Sequence, residues 1–284
     1  ETTFSYSGSK ALRLGADALG RSEGEVLWPD MFDDQWMEQT RRALGHYWFN
    51  ALYLQRPSAA EGNLFKESNF RYYERLPTPG DSDENLVRIV RDQGEEIFNV
   101  AYGTKFMTID CAESEKKTAD YTVISTWIVT VNKDLLLWDR ERVKMDVTKL
   151  KPTIRRVFFE QRPGFVVIEK KSVGTALIAE LLMEGLPIVA VSPDTDKITR
   201  SIPAVARYEE HRVFHPMGLP WVKEEWEPEL KNFPNASNDD QVDTLSMACQ
   251  QLPLIGGFVN GGAPAGTIRT GGGTLAGGVL TKDF

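Results

Sequence analysis

The chain has 284 residues, 41% of them hydrophobic and 26% charged, and a formal net charge of −8. Such proportions are ordinary for a globular chain and exclude wholesale disorder or a fibrous repeat. The longest apolar stretch, around Val123–Val131, falls short of the ~18–20 residues a membrane-spanning helix needs, and two cysteines with three histidines exclude a disulfide scaffold and a standard zinc site.

Residues 1–25 are mixed and glycine-interrupted, without a clear period. Phe32, Trp36 and Met37 predict one short helix, and Leu44, Trp48, Ala51 and Leu52 predict another. Residues 77–96 read as an exposed excursion with a hairpin around LVRIV. From Lys105 the segments KFMTIDCA, YTVISTWIVTV and LLLWDRERV predict three consecutive antiparallel strands, the last two joined by a turn at Asn132–Asp134. Val147–Gln161 follows as a helix, GFVVIEK as a buried strand, Val173–Glu184 as a helix stopped by Gly185, and PIVAVSP as another buried strand. Residues 196–209 and 221–232 predict helices. Asn238–Leu252 predicts the last, with Val242, Leu245 and Cys249 on its inner side.

Three antiparallel strands, then strands alternating with helices, imply an α/β fold: a mixed sheet with helices on both faces. The glycine-rich residues 253–284 predict a flexible tail. A start without methionine or an apolar leader predicts a fragment of a longer intracellular protein. The acidity is uneven. Residues 1–104 carry 17 acidic and 11 basic side chains, whereas Lys144–Lys171 carry eight basic and three acidic. A locally positive surface on an acidic protein follows, so the net charge alone does not exclude a nucleic-acid partner.

Acids recur at three related places. Asp110 closes the first core strand, Glu169 closes the fourth, and Asp239, Asp240 and Asp243 open the final helix. Strands one and four are commonly neighbours in a sheet of this order, and Asp240 and Asp243 at i and i+3 share one helix face. Carboxylates packed so closely bind protons or cations. With no His or Cys among them, the donor chemistry favours Mg²⁺ or Mn²⁺, and two such ions ~3.5–4 Å apart hydrolyse phosphodiesters. Blander readings exist for each part. A single strand-end acid is more often a solvated loop residue, and Asp239 and Asp240 also suit a helix N-terminus. Asn238 with Gln241 fits a capping box. Asp243, beside the apolar stripe, is the acid these readings leave unexplained.

Five segments in order then carry a resemblance. TIDCAESEKKTADYTVISTW, VVIEKKSVG and NDDQVDTLSMA resemble the three acid motifs of the nuclease part of tailed-phage terminase large subunits. TDKITRSIPAVARYEEHRVF resembles the basic segment between the second and third motifs. The stretch GEVLWPDMFDDQWMEQTRRALGHYWFNALYLQRPSAAEGNLFK resembles the join to the motor domain. The resemblance spans residues 24–252 and implies a ribonuclease H-like fold that cuts concatemeric viral DNA during packaging in the host cytoplasm.

It further implies Asp110, Glu169, Asp240 and Asp243 as catalytic metal ligands for two Mg²⁺ or Mn²⁺ ions, with Asp239 as an alternative. Many family members have His where this chain has Asn238. Lys170, Lys171, Lys197 and Arg200 are the candidate contacts to the DNA backbone. Implied partners are double-stranded DNA, the portal protein, the small terminase subunit and an N-terminal ATPase domain of the intact chain. No glycine-rich phosphate loop occurs here, so ATP hydrolysis is not expected of these residues.

The resemblance divides the chain into a joining segment, 1–75, a nuclease domain, 76–252, and the tail, 253–284. Asp120 is read as a turn-former, and His46, His211 and His215 as structural. Trp28, Trp36, Trp48 and Tyr53 are read as core. Two other functions fit parts of the pattern: a Holliday-junction-resolvase-like nuclease, and a portal or small-subunit docking module with a vestigial site.

Overall fold

Period-two patterning after Lys105 becomes the centre of a nine-stranded sheet in a computed structural model of the chain. The structure describes residues 26, 28–53, 64–77, 86–92, 94–112, 121–145, 147–170, 172–192, 195–259, 268–270, 273–276 and 279–282. Three long strands, β4 (Thr104–Asp110), β5 (Thr122–Val129) and β6 (Leu135–Val143), form the expected antiparallel meander. Two short strands, β7 (Val166–Glu169) and β8 (Ile188–Val191), add parallel to β4 through the helices α2 (Val147–Gln161) and α3 (Ser172–Met183). On the other side of β6 lies β9 (Val213–Pro216), then β1 (Arg71–Arg75), β2 (Leu86–Arg91) and β3 (Gly94–Asn99).

Alternation along the strands divides the side chains between two faces. Phe106, Trp127, Leu137 and Val167 pack on one face against α4 (Lys197–Glu209) and α6 (Asp240–Val259). Met107, Ile109, Ile124 and Ile168 pack on the other against Leu150 and Ile154 of α2 and Leu177 and Leu181 of α3. Helices therefore cover both faces of a mixed sheet, the α/β arrangement expected from the order of strands and helices. No helix among the described residues is long and apolar enough to cross a membrane.

Several expectations change. A single helix, α1 (Asp34–Leu52), replaces the two short ones, its first turn capped by the Asp33 carboxylate accepting from Trp36 N–H at 2.7 Å. Trp28 and Tyr53 are 58% and 42% exposed, so they are not core. Tyr53 stacks on Phe49, with ring centroids 5.2 Å apart. The hairpin expected around LVRIV does form, as β2 and β3, but it buries Val87, Ile89 and Phe98 and so is part of the sheet, while residues 78–85 lie outside the described residues.

The segment before residue 76 reaches into the sheet, because β1 pairs with β2 and β9 and buries Tyr73 completely. At the other end α6 runs seven residues beyond Leu252, to Val259, with Ile255 in the core. Residues 268–282 contain three short antiparallel strands, β10 (Ile268–Thr270), β11 (Gly273–Ala276) and β12 (Val279–Lys282). The 221–232 helix is a π-helical turn, Val222–Trp226, running into α5 (Glu227–Asn232).

Candidate metal-binding carboxylate site

Strand register brings the first two acids together. β4 and β7 run parallel with Thr108 opposite Val167 and Ile109 opposite Ile168, so Asp110 and Glu169 are the next residues along neighbouring strands. Hydrogen-bonded strands lie about 4.8 Å apart. Alternation from Phe106 and Val167 turns both carboxylates toward the face that α4 and α6 cover. Burial, then the negative charges of Asp110 and Glu169, push the neighbouring Cys111 thiol up to about 12. Asp110 and Glu169 are only 8% and 3% exposed. Behind Glu169, α3 packs tightly against the strand backbone. A Cβ at Gly174 of α3 would stand 2.4 Å from the Glu169 carbonyl oxygen, so only glycine lets the helix approach this strand end.

The first turn of α6 supplies Asp240 and Asp243, 8% and 5% exposed. Ser125 of β5 pairs with Thr108, and its hydroxyl lies 2.9 Å from that of Thr244. This contact pins the turn over β5, beside the strand that ends in Asp110. Trp127 Nε1–H donates to the Thr108 hydroxyl at 2.8 Å and closes the floor beneath it.

The cap of this helix is not the expected box. Glu229 on α5 accepts from the backbone N–H of Gln241 at 2.7 Å and of Val242 at 3.3 Å, while its second oxygen accepts from the Gln241 side chain at 2.7 Å. Arg142 stands 3.4 Å from the same carboxylate. Burial nonetheless pushes Glu229 up to about 7, against the Gln241 hydrogen bonds and Arg142, with Asp240 adding to the rise. Glu229 was missed from sequence. Its only signal there is an acid in a helix preceding the DDQVD motif.

Two cations from α4 stand among the acids. Arg200 donates from Nη1 to Glu169 Oε1 at 2.5 Å and from Nη2 to Asp243 Oδ1 at 3.2 Å. Lys197, one turn earlier, donates to Asp239 Oδ1 at 2.6 Å and lies 3.1 Å from Asp243 Oδ2. Burial opposes the Lys197 charge, but Asp239 and Asp243 outweigh it and raise its pKa above the ordinary lysine value. At Asp243 burial dominates and raises the carboxyl, while Lys197 and Arg200 offset part of that rise. Two of the four residues expected to grip DNA, Lys197 and Arg200, thus have carboxylates as their contacts here. Lys170 is exposed next to Glu169, whereas Lys171 and Asp120 lie outside the described residues.

Asp110, Glu169, Asp240 and Asp243 are therefore brought to one end of the sheet, with Asp239 at its rim. Among the described residues no three His, Cys, Asp or Glu side chains already stand in a metal-cage arrangement. Of the three histidines, His211 and His215 take no part, and the side chain of His46 lies outside the described residues. His215 is fully buried elsewhere, between Tyr208 and Glu227, and His211 pairs with Asp92 near the surface.

Residues 107–252 match a family model described as the terminase RNase H-like domain. No curated protein matches the chain. Among solved structures, the chain is similar to the large terminase of a thermophilic bacteriophage in complex with ATP-γ-S. That match has 11% identity over 76% of this chain and 52% of that one, with a TM-score of 0.52. The same terminase with ADP gives 11% identity, coverages of 75% and 50%, and a TM-score of 0.51. The large terminase nuclease of a second thermophilic phage, G20c, solved with bound magnesium, gives 16% identity, coverages of 68% and 98%, and a TM-score of 0.45. The chain spans about half the length of the nucleotide-bound terminase and nearly all of the G20c nuclease.

Proposed function

This chain belongs to the terminase RNase H-like domain family, and on that premise we propose that it is the nuclease of a phage DNA-packaging machine. In this reading it hydrolyses phosphodiesters of concatemeric double-stranded DNA with divalent metal ions. One observation carries the reading: the β4–β7 register sets Asp110 beside Glu169 on the face that receives the acid-bearing first turn of α6. The donor set fits hard divalent cations, since it is built of buried carboxylate oxygens without imidazole or thiolate.

Asp110, Glu169, Asp240 and Asp243 would hold two Mg²⁺ or Mn²⁺ ions, with Asp239 as the alternative ligand. Bound there, such ions supply Lewis acidity and a readily deprotonated water. The chain's own contribution is preorganisation. The sheet holds two acids, and the Ser125–Thr244 contact and the Glu229 cap hold the helix that carries the others. Trp127 and Trp226, both fully buried and 5.7 Å apart between ring centroids, keep water out from below. Lys170, Lys171, Lys197 and Arg200 are proposed to meet the DNA backbone, binding that weakens steeply with salt.

The remaining parts of the reading concern the intact protein. They are an N-terminal ATPase domain, a portal protein and a small terminase subunit as partners, and action in the host cytoplasm. The test is supercoiled plasmid incubated with Mn²⁺ or Mg²⁺. The expected result is nicking and linearisation, abolished by EDTA and reduced to background in Asp110→Asn at matched helical content. Equal cleavage by that variant sinks the mechanism. Preference for branched over linear duplex would favour a resolvase, and absence of calorimetric metal binding would favour a docking module.

A further inference from the structure

Arg200 occupies an unusual position for a DNA-gripping residue. Its side chain is 12% exposed, and it bridges two acids that are 3% and 6% exposed, Glu169 and Asp243, one on β7 and the other on α6. Each of its two terminal nitrogens takes an oxygen from a different carboxylate. The fork geometry of a guanidinium thereby holds a strand acid and a helix acid at one separation. Lys197 adds a second cation on the other oxygen of Asp243. Buried carboxylates this close repel unless a cation lies between them, and here the protein supplies that cation from α4.

We propose that Arg200, assisted by Lys197, is a resident counter-cation of the carboxylate site: it closes Glu169 onto Asp243 when no divalent ion is bound, and an incoming ion has to displace its guanidinium. This rests on the reading of these acids as metal ligands. Divalent ions bind carboxylate oxygens at about 2.0–2.6 Å, so an ion that takes Glu169 Oε1 and Asp243 Oδ1 needs the space the guanidinium fills. Metal binding is then an exchange of cations. Removing the resident one has two opposite consequences: the metal-free fold loses stability, and the metal binds more tightly. A residue that only braced the fold would give the first without the second. A residue that only gripped DNA would give neither in the absence of DNA.

The test uses the whole 284-residue chain, without DNA, in calorimetric titrations with Mn²⁺ and thermal melts in EDTA. It compares wild type with Arg200→Gln, Arg200→Lys, Lys197→Gln and Asp110→Asn. Arg200→Gln is expected to melt lower in EDTA, to bind Mn²⁺ about tenfold tighter, and to gain more thermal stability from the ion than wild type does. Arg200→Lys, which keeps the charge but loses the fork, is expected to fall between. Should Arg200→Gln fail to fold, Arg200→Lys and Lys197→Gln carry the same prediction with smaller shifts. Unchanged or weaker Mn²⁺ binding in the folded variants, alongside wild-type binding that Asp110→Asn removes, overturns the counter-cation and leaves the metal site standing. No Mn²⁺ binding by wild type or any variant overturns the metal site and the counter-cation together.

Discussion

Two groups of buried charged side chains lie on the same face of the sheet, and they are built on opposite plans. Around His215 both ring nitrogens have an answering group. With His215 neutral, its Nδ1–H donates to Glu227 at 3.1 Å, and the Tyr208 hydroxyl donates to Nε2 at 2.7 Å. Tyr72 donates to Glu227 at 2.9 Å, and Lys223 reaches both Glu227 at 2.9 Å and the Tyr72 hydroxyl at 2.6 Å. Burial holds His215 below the usual imidazole range. Burial works against the Glu227 charge, yet His215, Lys223 and Tyr72 draw that carboxyl down to about 2. One acid is matched by one lysine. At the other group Asp110, Glu169, Asp239, Asp240 and Asp243 outnumber Lys197 and Arg200 among the described residues. A balanced buried network specifies a fold, whereas an acid surplus held at a strand end is a site that recruits cations.

The contrast can be broken most severely at Glu227. Replacing it by Ala leaves buried donors unanswered and is expected to lower stability by about 3–5 kcal/mol in denaturant unfolding, while the remaining folded protein keeps its metal-dependent cleavage. A comparable loss of cleavage per folded molecule would show that the two groups are not separate. Divalent ions should act on the other group alone. Mn²⁺ at a hundredfold excess over its dissociation constant is expected to stabilise the chain by about 2.7 kcal/mol, read as a rise in Tm that EDTA reverses and Asp110→Asn lacks.

The smallest effect is one of pH, and its sign differs between the groups. Glu229, raised to about 7, keeps its proton in the folded state after the unfolded chain has lost it, so its contribution to stability falls as pH rises from about 4.5 to 7. Glu229→Gln should remove that slope between about pH 4.5 and 7. Glu227, lowered to about 2, works the other way: its contribution is present above about 4.5 and is lost as pH falls toward 2. A Glu229→Gln variant with the wild-type slope would contradict the assignment.

Much of this was legible because local rules and tertiary structure agree. The β4–β5–β6 meander, the α2–β7–α3–β8 alternation and the acid-opening helix follow from apolar period and turn residues. Other elements were hidden for identifiable reasons. β1, RYYER, carries one fully buried side chain, Tyr73, in a stretch with three charged residues, and its pairing partners lie far along the chain or beyond an intervening polar stretch. β9 is four residues long and ends in Pro216, too short for any period to register. Two separate apolar groups, Phe32–Met37 and Leu44–Leu52, suggested two short helices within a segment that α1 spans almost entirely as one. Trp28 and Tyr53 looked like core because aromatic spacing does not say which face a neighbouring element covers.

The order of the acids, their strand-end and helix-start positions and their hard-donor chemistry were written in the residues themselves, since spacing and residue type are local properties. Which charges meet was not. That Glu229 caps α6, that Arg200 turns inward to join Glu169 to Asp243, and that Gly174 admits α3 against the Glu169 backbone all depend on contacts made between separate elements. Electrostatic partnership is decided by distance in space, and only the packed sheet and its helices determine that distance.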